Sequence, residues 1–528
     1  MKKITNIPFL DIDSIPLLIK DFLTQKVPGF DAKVFTYENM EQQIGLKSKS
    51  FPKEQRETLC KVLEKQYSAF KLSDKQQENL ALLGEENTFT VTTGHQLNLF
   101  TGPAFFVYKI LQTIKLAEVL KGKFPDAHFV PLFWMASEDH DFEEINHFKT
   151  TENYYETKGK SGGAVGQIKV EDTFFISQFE EEFKDSVFGT ELILLLKKAY
   201  KIGNTLTQAT QIIVQELFSD FGLLVLDGDD VELKSAMKPV FKEDLVNQTL
   251  SKKSEDLVSL LSEKYGKVQV NPREINLFYL SETRDRIAFE DGRYHIVDRK
   301  QSFSEEEILN ELENHPERFS PNALLRPVYQ ETVLPNLAYI GGNAEIMYWL
   351  ELKDYFDEIN LPFPILIPRN SMLMLREKTL NKIEKFDLEI SDFFKNFATV
   401  MKGLLLEGNE ILPYLNKQEE VLKKHFTELK EQASLTEKTF GNLVGAEETR
   451  QLKSFDRMKK RLLRAERIKQ SEKMERLEKI FSTVHPGNIW QERIYNFSVF
   501  YADLGRDWLY NCYEEIEVEK SELIIFTI

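Results

Sequence analysis

Cysteine is nearly absent, with two residues in 528, and Cys60 and Cys512 are too far apart for a CxxC pair. That excludes a disulfide framework and a thiolate zinc site, and it fits a reducing compartment. No apolar run approaches the roughly 18 residues that a membrane span needs, so no membrane partner is expected. Near the start, Lys2 and Lys3 are followed by Asp11 and Asp13 before an apolar stretch can form, so no secretory signal is expected and the cytoplasm is the default location. Positive charge is in deficit: 68 Lys and Arg stand against 85 Asp and Glu, a formal net charge of −17 that repels nucleic acid and anionic lipid. Neither a Walker A lysine loop nor a GxGxxG turn is present, so a nucleotide has to be held in some other way.

What the chain does have is core material: 42% apolar residues, 12% aromatics and 40 Phe. At about 150 residues per domain the length predicts roughly two to four domains. From about residue 88, short β-branched and aromatic runs alternate with amphipathic stretches, the pattern of parallel strands joined by helices. The expected strands are 89–93, 129–135, 223–226, 337–340 and 364–367, each short and mostly apolar or β-branched, as strands buried on both faces are. The fold class is therefore α/β with a doubly wound parallel sheet. The core spans 1–375, with insertions at about 151–220, which hold a Gly-rich turn at 161–166, and at about 230–335. In the second insertion, Asp291-Gly292 between β-rich runs signals a hairpin.

Beyond residue 375 helical periodicity takes over. Leu422, Phe426, Leu429 and Ala433 follow alternating four- and three-residue steps, and Phe455, Met458, Leu462 and Ala465 keep a complementary rhythm. Met474, Leu477, Phe481 and Val484 are out of phase with the second set, so an antiparallel helical hairpin is expected over 376–485 rather than one long coil. Its apolar seams exceed what one hairpin buries, which predicts a homodimer. Residues 451–480 carry eleven basic and five acidic side chains, read either as a phosphate-binding arm or as the solvated face of a coiled coil. Residues 486–528 supply a helix and a strand that returns to the core, where 522–528 is expected to complete a sheet edge.

Ligands of open parallel sheets bind at the carboxyl ends of the strands, so the loops there are the candidates for chemistry. The first is 93–103, Thr-Gly-His-Gln-Leu-Asn-Leu-Phe-Thr-Gly-Pro, with Thr101 or Gly102 as a helix cap and Pro103 as the first helical residue. Backbone N–H groups from Gly94, His95 and Gln96 could hold an anion there, or the glycines could serve only the turn. The second, 133–147, puts five carboxylates and two histidines directly after a strand. His140 with Glu144 could hold a metal, Asp139 or Asp141 could orient His140 as a general base, and Asp141 with Glu144 also has helix-capping spacing. Ser137, Glu138 and Asn146 of the same loop are candidate substrate contacts. The third, 339–349, offers Gly341 and Gly342 for close backbone approach, then Glu345, Tyr348 and Trp349 on the following helix. Arg326 and Arg369, each beside a proline, are candidate forks for carboxylates.

These segments together resemble the bacillithiol biosynthesis cysteine-adding enzyme family (BshC). The resemblance is carried by Thr93-Gly94-His95-Gln96 to Pro103, by 133–146 with its Ser-Glu-Asp-His-Asp run, and by His315-Pro316-Glu317-Arg318-Phe319-Ser320 with Arg326-Pro327. Gly341-Gly342 with Glu345, Tyr348-Trp349, Pro368-Arg369, and His485-Pro486-Gly487 with Gln491-Glu492-Arg493 and Asn496 carry it further. His95 stands where that family often has Gln, and the HIGH and KMSKS signatures of class I synthetases are missing. The resemblance implies a Rossmann-like core with connecting-peptide insertions, a coiled coil used in dimerisation, and ligation of L-cysteine to the amine of glucosaminyl malate to give bacillithiol. Amide formation from a free carboxylate in water is uphill, so an activated cysteine, an adenylate, is expected, with ATP or another nucleotide as cofactor, Mg as a further candidate and no protein-bound metal. Malate carboxylates would go to Arg326 and Arg369, sugar hydroxyls to Glu138, Asp139 and Asp141, and the amine proton to His140. A metal-dependent hydrolase built on His140 and a non-catalytic coiled-coil scaffold are the competing classes.

Overall fold

The computed structural model describes residues 1–266 and 270–528. Five runs, buried except at the end residues His95, His128 and Asp227, form a parallel sheet: β1 (Thr88–His95), β2 (His128–Met135), β3 (Leu224–Asp227), β4 (Asn336–Gly341) and β5 (Ile365–Pro368). Their order is β3-β2-β1-β4-β5, with every neighbouring pair parallel. That is the Rossmann order, and the direction of strand addition reverses between β1 and β4, which opens a crevice at their carboxyl ends. The threonines of β1 can be buried because their hydroxyls are used inside the sheet. Thr90 and Thr92 donate to Asn336 Oδ1 at 3.2 and 2.8 Å, and Thr93 donates to the Ile340 carbonyl at 2.7 Å.

Three helices frame the crevice. They are α1 (Phe105–Lys123), which follows β1 and is buried along most of its length, α2 (Leu325–Val333), which precedes β4, and α3 (Asn343–Leu350), which follows it. Between β2 and β3 the chain inserts an antiparallel strand pair, His147–Lys149 with Tyr154–Glu156, and the helices Phe174–Phe183, Gly189–Ala199 and Leu206–Phe218. Between β3 and β4 lies an antiparallel five-stranded sheet in the order Gln301–Phe303, Arg293–Ile296, Arg284–Glu290, Leu277–Leu280, Phe319–Pro321. Its hairpin turns at Asp291 and Gly292, both with positive φ (50° and 76°), the backbone that a tight two-residue turn requires.

A third sheet corrects one expectation. The strand Glu522–Thr527 is not an edge: it lies between Lys2–Pro8, antiparallel, and Ser371–Leu375, parallel. Its run of Leu523, Ile524, Ile525 and Phe526 is buried, which is the position such a run needs.

The chain divides into two compact units: Met1–Leu10, Ile15–Leu375 and Ile489–Ile528 form the core, and Asp11–Ser14 with Arg376–Asn488 form a helical unit. Within the helical unit, α4 (Ile411–Ala433) and α5 (Lys438–Lys469) make the antiparallel hairpin and α6 (Ser471–Val484) follows after a break at Gln470. Phe426, Ala433 and Val444 are its buried seam with Leu422 beside them, and the pairs Lys430–Glu448 and Lys459–Glu419 tie the two helices in antiparallel register. Leu429 and Met458 remain 45% and 40% exposed, so the seam is incompletely covered. Among the described residues no helix is long and apolar enough to cross a membrane.

Candidate active site

The crevice at the β1/β4 switch point is a cavity of about 840 Å³ that reaches over the end of β2. Gly94, His95 and Gln96 come to it from the end of β1, Glu138, Asp139 and His140 from the loop after β2, Arg326 from α2, and Glu345 and Tyr348 from α3.

Its basic wall is Arg326. The guanidinium lies 5.6 Å over the Tyr339 ring and 6.0 Å over the Trp349 ring, and Nη1 donates to Gln330 Oε1 at 3.1 Å. Gln330 is itself held: its amide donates to Glu331 Oε1 at 3.0 Å, and Glu331 is paired with the buried Lys47 at 3.4 Å. This chain, with the Tyr348 hydroxyl also bonded to the guanidinium, fixes its plane and leaves Nη2 enclosed with no hydrogen-bond partner among the described residues. A buried charged donor without an acceptor is costly, so an anionic ligand is the partner it fits.

The facing loop is acidic. Asp139 accepts from Gln96 Nε2 at 2.7 Å and from its neighbour's backbone N–H at 2.7 Å. Burial pushes its carboxyl up, but the Gln96 amide, the His140 backbone N–H and the Arg284 charge outweigh that and hold it well below the usual carboxylate range, so it stays ionised. The loop is braced by the first insertion, where the Val165 and Gly166 N–H groups donate to the Asp139 and Ser137 carbonyls at 2.7 and 2.8 Å. Gly166 has to be glycine, since a Cβ there would meet Thr207 at 2.5 Å and Ser137 at 2.6 Å.

Between the two walls sits a closed polar cluster. Lys109 of α1 donates to the Gly94 carbonyl at 2.6 Å and to both Glu345 oxygens at 2.7 Å, and Tyr339 donates to Glu345 at 2.5 Å. Burial would raise the Glu345 carboxyl, but the Lys109 ammonium more than offsets it and the pKa falls to about 2. His95 packs edge-on against Phe105 and Phe106, and burial, with Lys109 adding repulsion, holds its imidazole neutral, with a pKa of about 3.

Several expected site residues are engaged elsewhere. Arg369 is buried and its Nη2 donates to Glu492 Oε1 at 2.7 Å, an ion pair that also ties Ser371 and the Met372 N–H, so it is a structural strut and not an open fork. Thr101 and Gly102 do not cap a helix that begins at Pro103: α1 starts at Phe105, and Phe100 and Thr101 have φ of 46° and 68°. Asn496 donates to the Phe100 and Gly102 carbonyls at 2.7 and 2.6 Å, so this turn is closed by the chain itself. Ser137 is bonded to Asp227 beneath the cavity floor. Asn146 is buried against Glu156 and His147. Asp141 caps the short helix Phe142–Ile145, accepting from the Glu144 N–H at 3.2 Å. Gly341 and Gly342 make room for the protein's own side chains: a Cβ on Gly341 would meet the Tyr339 ring at 2.9 Å, and the Gly342 N–H donates to Glu345. Glu138 lines the cavity but is paired with the buried Lys234 at 2.7 Å, which also holds Asp229 at 2.7 Å.

Arg284 was missed by sequence reasoning, and no local signal marks it. It reaches the cavity from a strand of the second insertion, packed 4.1 Å over Phe278, with Nε on Ser320 at 2.9 Å, Nη2 on the Pro321 carbonyl at 2.7 Å and Nη1 3.0 Å from His140 Nδ1. Among the described residues no group of three or more His, Cys, Asp or Glu is arranged to hold a metal ion. In the helical unit a separate cavity of about 810 Å³ is lined by Lys382, Lys385, Lys469, Lys473, Arg476 and Lys479 beside Phe386 and Ile480.

Comparison with known proteins agrees with this architecture. The family model described as bacillithiol biosynthesis BshC, N-terminal Rossmann-like domain, matches residues 5–370, and that of the BshC C-terminal coiled-coil domain matches 372–528. A protein of Flavobacterium johnsoniae named "Putative cysteine ligase BshC" is 41% identical over 515 residues, 97% of each chain. Proteins of the same name from Flavobacterium psychrophilum and Christiangramia forsetii are 41% identical over 93% of each chain and 38% identical over 97% of this chain and 96% of theirs. With both halves matched and near-complete coverage by such relatives, the chain belongs to the BshC family of bacillithiol biosynthesis.

Proposed function

We propose that the crevice joins L-cysteine to the amine of glucosaminyl malate, forming an amide and so bacillithiol. The observation that carries this reading is the orphan Nη2 of Arg326 in the same cavity as the ionised Asp139. One wall takes a carboxylate and the other takes an amine or sugar hydroxyls, which is the pairing that a malate glycoside with a free amine presents. Arg369 has no part in it. The uncharged His95 and the closed Lys109–Glu345 pair add no competing charge to the reaction space.

ATP or another nucleotide, when bound, supplies the activation of the cysteine carboxylate that amide formation in water requires. A donor set that suits nucleotide phosphates lines the separate cavity of the helical unit, where Lys382, Lys385, Lys469, Lys473, Arg476 and Lys479 surround the space and Glu472 is the one acid among the described lining residues. Any magnesium would arrive on those phosphates. A transition-metal hydrolase is disfavoured because, among the described residues, no three His, Cys, Asp or Glu side chains are arranged to hold a metal ion.

The helical hairpin leaves Tyr414, Phe440, Leu443 and Ile468 between 46% and 68% exposed, and we assign that face to a second copy of the chain. Two unpaired cysteines suit the cytoplasm as the site of this reaction. The test is to incubate the purified protein with cysteine, glucosaminyl malate and ATP, follow bacillithiol by mass, and measure sedimentation in parallel. Bacillithiol formed by a dimer supports the reading. No product with any nucleoside triphosphate, and no restored bacillithiol in a strain lacking its own enzyme, would overturn it.

A further inference from the structure

His140 has two neighbours at Nδ1 that ask for opposite protonation states. Asp139 Oδ1, at 3.5 Å, is an acceptor and could only meet an N–H. Arg284 Nη1, at 3.0 Å, is a donor and can only meet a lone pair, because a guanidinium has no acceptor. The shorter contact is the hydrogen bond, since 3.5 Å lies beyond the usual range. Arg284 is held against turning away: Nε is bonded to Ser320, Nη2 to the Pro321 carbonyl, and the Phe278 ring packs on its face. With its lone pair at Nδ1 engaged, a neutral imidazole carries its proton on Nε2. Nε2 has no hydrogen-bond partner among the described residues, and the side chain is 41% exposed in the wall of the cavity.

From this we infer that Arg284 is a positioning residue that fixes His140 as its Nε2–H tautomer, so that His140 acts as a hydrogen-bond donor to substrate oxygen and not as the base that takes the amine proton. The inference rests on the proposed ligation for the identity of that oxygen. The amine enters neutral, and its nitrogen bonds to the activated acyl carbon of cysteine while the C=O π pair moves onto oxygen. The Nε2–H donates to that oxyanion. When the carbonyl re-forms, the activating group leaves with its electron pair, and the surplus proton on nitrogen passes to solvent. A donor placed where oxyanion charge develops is worth about 10²–10³ in rate. The charged groups facing the ring are Arg284, Asp139 and, across Gln96, Glu144; Glu138 lies behind them, paired with Lys234.

Two readouts separate this inference from the functional reading beneath it. Nitrogen-15 histidine spectra of the full chain without substrates, with His140 identified by its loss in His140→Gln, should show Nδ1 unprotonated and Nε2 protonated. Arg284→Gln should blur that pattern toward a tautomer mixture, while Arg284→Lys, another pure donor, should preserve it. In ligation assays, His140→Ala should lose about 10²–10³ in rate. His140→Gln, which donates through its amide but takes up no proton, should stay within about tenfold of wild type with an unchanged pH profile. A proton on Nδ1 in the wild-type spectrum would overturn the inference. So would a His140→Gln as inactive as His140→Ala. If the wild-type protein ligates nothing, the proposed function fails, and the spectra still decide the tautomer and the part of Arg284.

Discussion

Arg326 and Arg369 both lie next to prolines near the strand ends of one sheet, and from the sequence they are equivalent forks for a carboxylate. Their surroundings are opposite. Arg369 is 4% exposed and bound to Glu492, which is 1% exposed and occupied by three donors in all. Arg326 is clamped on one side by Gln330 and keeps an enclosed nitrogen without a partner among the described residues. A buried arginine whose acceptor belongs to the chain holds the fold together; one that is oriented and then left short of an acceptor is a place for a ligand.

The strongest way to break this comparison is on the Arg369 side. Arg369→Met leaves Glu492 ionised and unpaired in the core, which should cost about 3–5 kcal/mol, read by denaturant unfolding against wild type. A stable Arg369→Met with lost substrate affinity would reverse the two assignments. On the Arg326 side, Arg326→Gln removes a charge-assisted donor worth about 1.5–3 kcal/mol, so kcat/KM for glucosaminyl malate should fall about 10- to 100-fold, with a smaller change in stability than Arg369→Met gives. Gln330→Ala keeps the charge but frees the guanidinium plane, and the affinity loss should be about 3- to 10-fold. The smallest effect concerns Asp139. Its folded pKa lies below the unfolded value of about 3.9, so it contributes stability that is present above that pH and lost as pH falls toward the folded value. The stability difference between wild type and Asp139→Asn should therefore shrink on acidification below about pH 4, measured by melting temperature across pH.

How far the molecule could be read in advance follows from how local each signal is. Four of the parallel strands were legible because burial on both faces leaves an apolar run, as in 129–135, β1 through its β-branched Thr and Val instead, and the hairpin because Asp291-Gly292 carries its own turn geometry. The phase slip between the second and third apolar sets corresponds to the break between α5 and α6 at Gln470, and the complementary rhythm of the first two sets to the pairing of α4 with α5. The loop after β2 stood out because carboxylates and histidines crowded directly behind a buried strand. What could not be read were pairings across hundreds of residues. Glu492 neutralises Arg369 from 123 positions away, Asn496 closes the turn at Gly102 from 394 away, and Arg284 meets His140 from 144 away. Each pairing changes the meaning of a residue whose local sequence is unaltered. Helix capping by Asp141 was one of the alternatives that spacing left open, and the hydrogen bond from the Glu144 N–H resolves it.

The most direct test of the account is the equilibrium affinity for glucosaminyl malate of the wild-type protein, Arg326→Gln and Arg326→Lys, measured by calorimetry without cysteine or nucleotide. The account predicts binding by the wild type, a loss of at least tenfold in Arg326→Gln, and an intermediate loss in Arg326→Lys, which keeps the charge and gives up the planar fork. Equal affinity in all three proteins would contradict it.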